Sequence, residues 1–240
     1  MLYLVPTPIG NLGDITLRAI EVLKAADLIA CEDTRHSMRL LNHLEIRKPL
    51  ISYHEHNEAR RTEEFIGRLK EGTNIAVITD AGMPGISDPG HRLLRACIAE
   101  GVEYTVLPGP SAVLTALIGS GFSAESFYYG GFLPVKSGQR ERELTHAAAR
   151  AETSVFFESP HRIERTLETC AQVCPTRTVC VARELTKQFE EYRIGTAAEV
   201  LAHYKVHPAK GEIVFLIRAL TKEERREAKS ETDSQGDESA

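Results

Sequence analysis

The sequence predicts an α/β protein of two domains, with a mainly parallel sheet in the first domain and a mixed sheet in the second. Short apolar runs alternate with helix-length amphipathic stretches from residue 2 to about residue 117. Such strand–helix–strand repeats imply right-handed crossovers between parallel strands. Later apolar runs include a pair with no room for a crossover helix. Gly119-Ser120-Gly121 lies between the two halves, so we expect domains at residues 1–118 and 122–220.

Each element of the first half follows from its own pattern of apolar residues. Continuous apolar runs, as expected of strands covered on both faces, occur at residues 2–5, 28–31, 50–53, 75–79 and 104–107. Apolar residues at three-residue spacing from Leu17 indicate a helix, with Asp14 or Thr16 as its cap. Two further helices are expected to end at Gly72 and Gly101.

In the second half, strands are predicted at residues 127–132, 154–158, 178–182, 191–195 and 212–217. The segment from Ala182 to Glu191 is shorter than the dozen or more residues that a parallel crossover requires. We therefore expect these two strands to be antiparallel and the sheet of this half to be mixed.

The composition is that of a globular protein, with 42% hydrophobic and 26% charged residues in a chain of 240. It excludes collagenous, coiled-coil and wholly disordered chains. Residues 221–240 contain seven acids, four bases and no Leu, Ile, Val or Phe, which predicts a disordered charged tail. The net charge of the whole chain is −5, but the body, residues 1–220, has 27 acids and 25 bases and is therefore nearly neutral. Any RNA contact must therefore come from local basic clusters.

The five cysteines include no Cys-x-x-Cys pair, and no apolar run is long enough to span a membrane. The first residues also lack the basic stretch of a signal peptide. We therefore expect a cytoplasmic protein with reduced thiols. A zinc site could be sought at His54 and His56, but no matching pair of Cys or His accompanies them, so no metal is predicted.

Three loops rich in Gly and Pro follow predicted strands; we call them the first loop (residues 6–14), the second loop (residues 80–90) and the third loop (residues 108–112). Ligands of open α/β sheets bind at the carboxyl ends of the strands, where such loops lie. Glycines there permit close approach to the backbone. The loops lack the Lys of a P-loop, which argues against an NTPase. Asp80 and Asp88 suit a positively charged ligand or ribose hydroxyls, and an adenosyl sulfonium has both.

Five motifs carry a resemblance to a known family: VPTPIGNLGDIT at 5–16, CEDTR at 31–35, DAGMPGISDPG at 80–90, PGPSA at 108–112 and FESPHR at 157–162. With these motifs in order, residues 2–220 resemble the bacterial small-subunit ribosomal RNA methyltransferases I. These are the cytidine 2′-O-methyltransferases of the tetrapyrrole-methylase superfamily. The resemblance implies two α/β domains of the tetrapyrrole-methylase (class III methyltransferase) type, with S-adenosylmethionine as methyl donor in the cleft between them. It also implies a homodimer and, as acceptor, the ribose 2′-hydroxyl of a cytidine in the decoding region of small-subunit (16S) rRNA.

Carried over position by position, the resemblance implies that the donor is bound by all three loops and by the second domain. The implied residues are Pro8, Gly10, Asp80, Ala81, Gly82, Gly85, Ser87, Asp88, Ser111, Ala112, Phe132, Gly211, Glu212 and Ile213. Phe132 could equally belong to the core, and Glu212 could equally begin an edge strand.

A ribose hydroxyl is a weak nucleophile, so a neighbouring base must accept its proton. The residues selected as catalytic are Glu158, His161 and Lys187, and further candidates near the motifs are Glu32, Asp33 and Glu184. Two alternatives stay open. Glu158 could pair with Arg162 instead, and His161 could cap the helix expected after Pro160.

Basic residues near the motifs are the candidates for RNA contact, because they can neutralise phosphates. They are Arg35, Lys136, Arg140, Arg142, Arg162 and Arg183. Residues 136–142 are expected to form a mobile polar loop that closes over RNA.

Two other functions remain open at this point. The superfamily also methylates carbon atoms of porphyrin-like rings, although the CEDTR and FESPHR motifs resemble its RNA-modifying branch. The chain could also be a non-catalytic ribosome assembly factor that holds the nucleoside ligand without turnover. Donor binding without methyl incorporation would indicate this second alternative.

Overall fold

The computed structural model describes residues 1–221 and Glu224. Within this part, the chain forms two compact units, Met1–Ala112 and a second unit that begins at Val113. Each unit has its own sheet and its own buried core.

The first unit is a parallel sheet with helices on both faces. Its strands are β1 (Leu2–Leu4), β2 (Leu28–Cys31), β3 (Leu50–Ser52), β4 (Ile75–Ile78) and β5 (Tyr104–Val106). They pair in the order β3-β2-β4-β1-β5, and every pairing is parallel, as predicted. The helices are α1 (Leu17–Ala25), α2 (Thr34–His43), α3 (Glu58–Lys70) and α4 (His91–Ala99). Of the two predicted caps for α1, the structure uses Thr16, whose side chain accepts a hydrogen bond from Ala19 N.

Alternate residues of the central strands pack on opposite faces of this sheet. Val77 of β4 belongs to a cluster with Phe65 of α3 and Leu93 of α4. Its neighbour Ile78 belongs to another cluster, with Leu23 of α1. All residues of β2 and β4 are buried, as expected for strands covered on both faces.

The outer strand β5 departs from that expectation. Tyr104 and Val106 are 43% and 41% exposed, although the apolar run predicted burial on both faces. The prediction is wrong here because β5 is an edge strand, which the helices cover less completely than they cover the centre.

The second unit contains a mixed sheet, as predicted. Its strands are β6 (Phe127–Phe132), β7 (Thr153–Glu158), β8 (Thr178–Arg183), β9 (Glu191–Thr196) and β10 (Ile213–Ile217). They pair in the order β6-β7-β10-β8-β9, and only the β6–β7 pairing is parallel. The β8–β9 pair is antiparallel, as the short connection requires. The helices are α5 (Ala112–Gly119), α6 (Ser137–Ala149), α7 (Ile163–Val173) and α8 (Ala197–Val206).

The division between the units falls before α5, whereas the sequence placed it after this helix. Nearly all of α5 goes with the second unit because of its contacts with β9. A Cβ atom at Gly119 would overlap the ring of Tyr192, and Tyr192 Oη donates a 3.5 Å hydrogen bond to the carbonyl of Thr115.

Helix α6 corrects the prediction of a mobile loop at residues 136–142. The helix begins at Ser137 and buries Arg140, Leu144 and Ala147. These residues recur at helical spacing and so lie on one face. The sequence indicates a loop here because Arg140 is charged, whereas in the structure it occupies the first buried position of the helix.

The predicted tail begins at Thr221, and residues 222–223 and 225–240 of it lie outside the described residues. Thr221 and Glu224 are described. They are joined by hydrogen bonds of 2.6 and 3.1 Å, and Glu224 forms a 2.8 Å ion pair with Arg218. In the part of the chain that the structure describes, no helix is long and apolar enough to cross a bilayer.

Candidate functional site

The first and second loops of the first unit are joined by backbone hydrogen bonds. Thr7 N donates to the carbonyl of Gly82 (2.9 Å), and Gly82 N donates to the carbonyl of Thr7 (3.0 Å). Thr7 Oγ1 also donates to the carbonyl of Thr79, at 3.0 Å. Gly82 has φ = 76°, a conformation that glycine adopts without steric cost. The carboxyl ends of β1 and β4 are therefore held together through these two loops.

The third loop lies directly against the first. A Cβ atom at Gly109 would lie 2.8 Å from Pro6 Cβ, a distance that packed carbon atoms do not reach. Only glycine fits this position without movement of the backbone. All three loops that the sequence singled out thus meet at the carboxyl edge of the first sheet.

The second loop contains several residues in the left-handed region. Gly85, Ser87 and Gly90 have φ of 86°, 61° and 130°. Gly85 N donates to the carbonyl of Pro89, at 3.1 Å, so the loop folds back on itself. Its Gly and Pro content follows from this backbone path.

Two residues that the sequence did not single out hold the end of the second loop. Glu58, the first residue of α3, accepts hydrogen bonds from Gly90 N (3.3 Å) and Tyr53 Oη (3.0 Å). Tyr53 is itself buried after β3. The signal in the sequence was weak, because Glu58 reads as an ordinary acid in the first turn of a helix.

Carboxylates from two strand ends converge beside these loops. Asp33 N, just after β2, donates to Asp80 Oδ1 at 3.3 Å. The pKa of Asp88 is raised to about 6, mainly by burial and further by the nearby charges of Glu32 and Asp80. Burial and the charge of Asp80 likewise raise the pKa of Glu32. In the described part of the chain, no Lys, Arg or His forms an ion pair with Glu32, Asp80 or Asp88.

The other predicted donor residues of the first unit lie in the same loops. Pro8 is buried and Gly10 is exposed, whereas Ala81, Ser111 and Ala112 are partly buried. All five follow the carboxyl ends of strands in the first sheet: Pro8 and Gly10 follow β1, Ala81 follows β4, and Ser111 and Ala112 follow β5.

The predicted residues of the second unit also share one sheet edge. Phe132 ends β6, Glu158 ends β7 and Arg183 ends β8. Ile213 begins β10 and is paired with both Glu158 and Arg183. Phe132 is 60% exposed, with its ring 5.3 Å from that of Phe157, so it is not part of the core.

Glu158 forms the ion pair that the sequence left as an alternative. Its buried carboxylate accepts hydrogen bonds from Ser159 N (2.7 Å), Arg162 Nε (2.7 Å) and Thr166 Oγ1 (2.6 Å). Arg162 Nη2 lies 2.5 Å from Oε1. Oε1 takes the contacts of Ser159 and Arg162, Oε2 takes that of Thr166, and the side chain is completely buried, so the carboxylate is held inside the protein.

Lys187 lies between two acids at the same edge. Its Nζ is 2.8 Å from Glu184 Oε1 and 2.9 Å from Glu212 Oε2. Burial lowers the pKa of Lys187, but the hydrogen bonds to the two acids outweigh it, and the pKa is raised. Lys187 is therefore held as an ammonium ion, which has no lone pair to accept a proton. Gly211 has φ = 82°, and a Cβ atom there would displace the Glu184 carboxyl group, so this position favours glycine.

His161 lies exposed just before α7, and its backbone nitrogen donates to Ser159 Oγ at 3.3 Å. Among the described residues, no contact of its imidazole selects between a capping role and a catalytic one. Its catalytic role stays a prediction.

The six predicted RNA contacts differ in exposure. Arg140 is 6% exposed and donates to the carbonyl of Val135 at 3.2 Å, so it supports the turn before α6 and is removed from the RNA candidates. Arg162 forms an ion pair with Glu158, and Arg183 forms one with Glu191 at 2.7 Å.

The exposed members of the set are Arg35, Lys136 and Arg142. Arg35 forms a 2.9 Å ion pair with Asp33. The hydrogen bonds from Arg35 lower the pKa of Asp33 to about 2.

Known proteins resemble this chain over most of its length. A family model described as Tetrapyrrole (Corrin/Porphyrin) Methylases matches residues 1–201. Ribosomal RNA small subunit methyltransferase I of Synechocystis sp. is 45% identical over 226 residues, which cover 94% of this chain and 81% of that protein. The protein of the same name from Micromonospora olivasterospora is 49% identical, with 90% and 69% covered. That of Bacillus subtilis is 44% identical, with 93% and 77% covered.

Solved structures resemble the fold at low sequence identity. Diphthine synthase superposes with a TM-score of 0.74 at 13% identity, covering 92% of this chain and 90% of that one. Cobalt precorrin-4 methyltransferase superposes with a TM-score of 0.66 at 17% identity, covering 90% and 94%. At these identities the likeness concerns the fold alone.

A parallel sheet with three Gly- and Pro-rich loops at its carboxyl edge, followed by a mixed sheet, is the architecture of a methyltransferase of the tetrapyrrole-methylase type. The predicted fold class is thereby confirmed. The chain belongs to the tetrapyrrole methylase family and, within it, groups with the relatives named ribosomal RNA small subunit methyltransferase I. The resemblance read from its motifs is confirmed as well.

Proposed function

We propose that this chain transfers a methyl group from S-adenosylmethionine to the ribose 2′-hydroxyl of a cytidine in the decoding region of small-subunit rRNA. The names of relatives at 44–49% identity support ribosomal RNA of the small subunit as the substrate class. The choice of a cytidine and of its 2′-oxygen rests on the sequence motifs.

The observation that carries the proposal is the group of acids without cation partners beside the three loops. Glu32, Asp80 and Asp88 place negative charge in a partly buried site, and no ion pair in the described chain neutralises it. Such a site favours a cationic ligand that also offers hydroxyl groups. An adenosyl sulfonium meets both requirements, so the donor fits the residues present.

Donor binding is assigned first to the loops of the first unit. Asp80 and Asp88 offer carboxylate oxygens to cationic or hydroxyl groups, and the backbone hydrogen bonds of Gly82 and Gly85 hold the second loop in shape. When bound, S-adenosylmethionine supplies an electrophilic methyl group. The implied donor residues of the second unit, Phe132 and 211–213, stay proposals.

Positioning accounts for most of the rate enhancement in this type of displacement. The chain has to hold the acceptor oxygen in line with the methyl group and exclude water. Backbone hydrogen bonds between the first and second loops make this part of the site rigid. Exposed Lys136 and Arg142 are the best-placed basic residues of the predicted set to contact phosphates.

The test is methyl transfer from labelled S-adenosylmethionine to three acceptors in parallel: naked 16S rRNA, assembled 30S particles and a porphyrin precursor. A 2′-O-methyl group protects the adjacent phosphodiester from alkaline hydrolysis, so the product is mapped as a resistant dinucleotide. Transfer to RNA at a cytidine of the decoding region supports the proposal. Transfer to the porphyrin precursor instead would replace it with the activity after which the family is named.

A non-catalytic assembly factor is the remaining alternative. It would bind the donor, as measured by calorimetry, and incorporate no methyl group into any acceptor. Asp80→Ala should abolish donor binding and preserve the fold; full affinity in this variant would show that the donor lies elsewhere.

We also propose that the protein is a homodimer in the cytoplasm. Sedimentation equilibrium tests the first statement, and a monomer at all concentrations would contradict it. Cell fractionation tests the second.

A further inference from the structure

The proposed 2′-O-methylation requires a base that accepts the proton of the ribose hydroxyl. The structure reduces the number of residues that can be this base. Among the candidates of the second unit, the carboxylate of Glu158 is completely buried and paired with Arg162 and Thr166, and Lys187 is held as an ammonium ion. Glu184 accepts hydrogen bonds from Lys187 Nζ (2.8 Å) and Glu212 N (3.1 Å). Each of these groups is engaged by the protein itself.

In the first unit, Asp33 is likewise engaged. Its carboxylate accepts from Arg35 N at 2.8 Å and from the Arg35 guanidinium at 2.9 and 3.2 Å. Its pKa is lowered to about 2 by these hydrogen bonds. Asp33 therefore acts as the N-cap of α2.

Glu32 differs from all of these acids. It follows β2 directly, so its position is fixed by a buried strand whose neighbours are β3 and β4. It is partly buried, and no cation of the described residues forms an ion pair with it. The next residue, Asp33, hydrogen-bonds through its backbone to Asp80 of the second loop. Glu32 thus lies beside the loop to which we assign the donor.

The charged groups around Glu32 come from three elements. Asp80 and Asp88 belong to the second loop, His54 follows β3, and Asp33 is its neighbour in the chain. Burial and the charge of Asp80 raise the pKa of Glu32, while His54 acts in the opposite direction. A carboxylate with a raised pKa is a stronger base than one in water.

We propose that Glu32 is the general base, accepting the proton of the acceptor hydroxyl as the methyl group is transferred. The proposal rests on the function proposed above. The hydroxyl oxygen forms a bond to the methyl carbon while the carbon–sulfur bond breaks, and the electron pair of that bond stays on sulfur. The proton passes to a carboxylate oxygen of Glu32 and is released to water after the product leaves. One sulfonium and one carboxylate thereby become a thioether and a carboxylic acid, so charge balances.

The test compares Glu32→Gln, Glu32→Asp and the wild type at saturating donor and RNA. General-base catalysis contributes about 100-fold or more, so Glu32→Gln should lower kcat by at least that factor. Its affinity for the donor, measured by calorimetry without RNA, should stay within about threefold of the wild type, because a proton acceptor for the hydroxyl is not the main donor contact. Glu32→Asp should recover part of the lost rate.

The pH profile provides a second readout. The wild type should lose kcat as the pH falls and the base becomes protonated, whereas this acidic limb should be absent in Glu32→Gln. Glu55→Gln is the matched control, because Glu55 is an exposed acid on the loop after β3. It removes the same charge and should leave kcat and its pH profile unchanged.

Three results would overturn the proposal: unchanged kcat in Glu32→Gln, loss of donor affinity as large as the loss of kcat, or retention of the acidic limb. A lower melting temperature that accounts for the lost activity in both Glu32 variants would also overturn it. Failure of the proposed function is distinguishable, because the wild type itself would then transfer no methyl group to RNA.

Discussion

Carboxylates at the two sheet edges differ in the cations beside them. Glu158 and Glu184 of the second unit lie 2.5 and 2.8 Å from basic nitrogen atoms. Glu32 and Asp88 of the first unit have no such partner among the described residues, and their pKa values are raised by burial and by neighbouring acids. An ion pair favours the charged form of an acid, whereas burial beside like charges disfavours it. The two groups should therefore respond differently to substitution.

Glu158→Gln should destabilise the protein by about 2–3 kcal/mol, because Arg162 would keep its charge without a carboxylate partner. Urea denaturation measures this loss. Glu168→Gln, on α7, is the control, since the ion pair of Glu168 with Lys205 is largely exposed and should contribute little. Equal stability of the two variants would contradict the structural role of Glu158.

Asp88→Asn should stabilise the protein above pH 6 and have no such effect below about pH 4. The pKa of Asp88 rises from about 3.9 in the unfolded chain to about 6 in the folded one, so the folded state binds the proton more tightly. The wild type therefore loses stability from this group as the pH rises through that window, and the amide variant does not. The difference should reach about 1–2 kcal/mol by urea denaturation. A difference independent of pH would contradict the assignment.

At the scale of elements, the second loop is held at both ends. Hydrogen bonds between Gly82 and Thr7 fix its beginning, and Glu58 fixes its end through Gly90 N. A loop held in this way is organised before a ligand binds, which lowers the entropy cost of binding. Helix α3 thus contributes to the site although none of its residues was predicted to touch a ligand.

Glu58→Ala should weaken donor binding by about tenfold, because Gly90 N and Tyr53 Oη both lose their acceptor. Calorimetry with S-adenosylmethionine measures the change. Glu63→Ala replaces an exposed acid of the same helix and should leave the affinity unchanged. Donor binding as tight in Glu58→Ala as in the control would show that α3 does not organise the loop.

The basic residues at the start of helix α6 differ in their exposure to solvent. Arg140 is on the buried face, whereas Lys136 and Arg142 are exposed. Replacing both exposed residues with Ala should weaken RNA binding and reduce the salt slope by about one to two. Arg140→Ala should instead lower stability by about 1–3 kcal/mol, with the salt slope unchanged. Binding titrations at several salt concentrations, combined with urea denaturation, separate the two effects; equal slopes in all variants would contradict an RNA contact here.

At the scale of the whole molecule, the charge is divided between the body and the tail. Residues 221–240 account for seven acids and four bases, and the body is nearly neutral. A nearly neutral body suits recognition of one structured RNA site, because shape then contributes more than bulk attraction.

Removal of residues 225–240 should leave methyl transfer intact, because these residues contain no Leu, Ile, Val or Phe to add to a core. The cut follows Glu224 because this residue forms an ion pair with Arg218. Labelled-methyl incorporation into RNA is the measurement. Loss of transfer with an unchanged melting temperature would show that the tail takes part in the reaction.

Local sequence patterns are sufficient to predict the strands and the loops that follow them. The five strands of the first sheet lie within one residue of the apolar runs, because a short apolar run is a local signal. The same holds for the second loop, whose backbone path needs the glycines that the chain carries at 82, 85 and 90. The motifs, which are also local, were sufficient to place the chain in its family.

Which charged groups form ion pairs depends instead on contacts between residues that are distant in the chain. Lys187 meets Glu212, which is 25 residues away in the chain, and no local pattern indicates that contact. The strand order β3-β2-β4-β1-β5 likewise brings Glu32, after β2, beside Asp80, after β4. Helix α6 buries Arg140, although its charge made it look like a surface residue. The physical reason is that backbone conformation depends on neighbours in sequence, whereas the burial and pairing of a charge depend on neighbours in space.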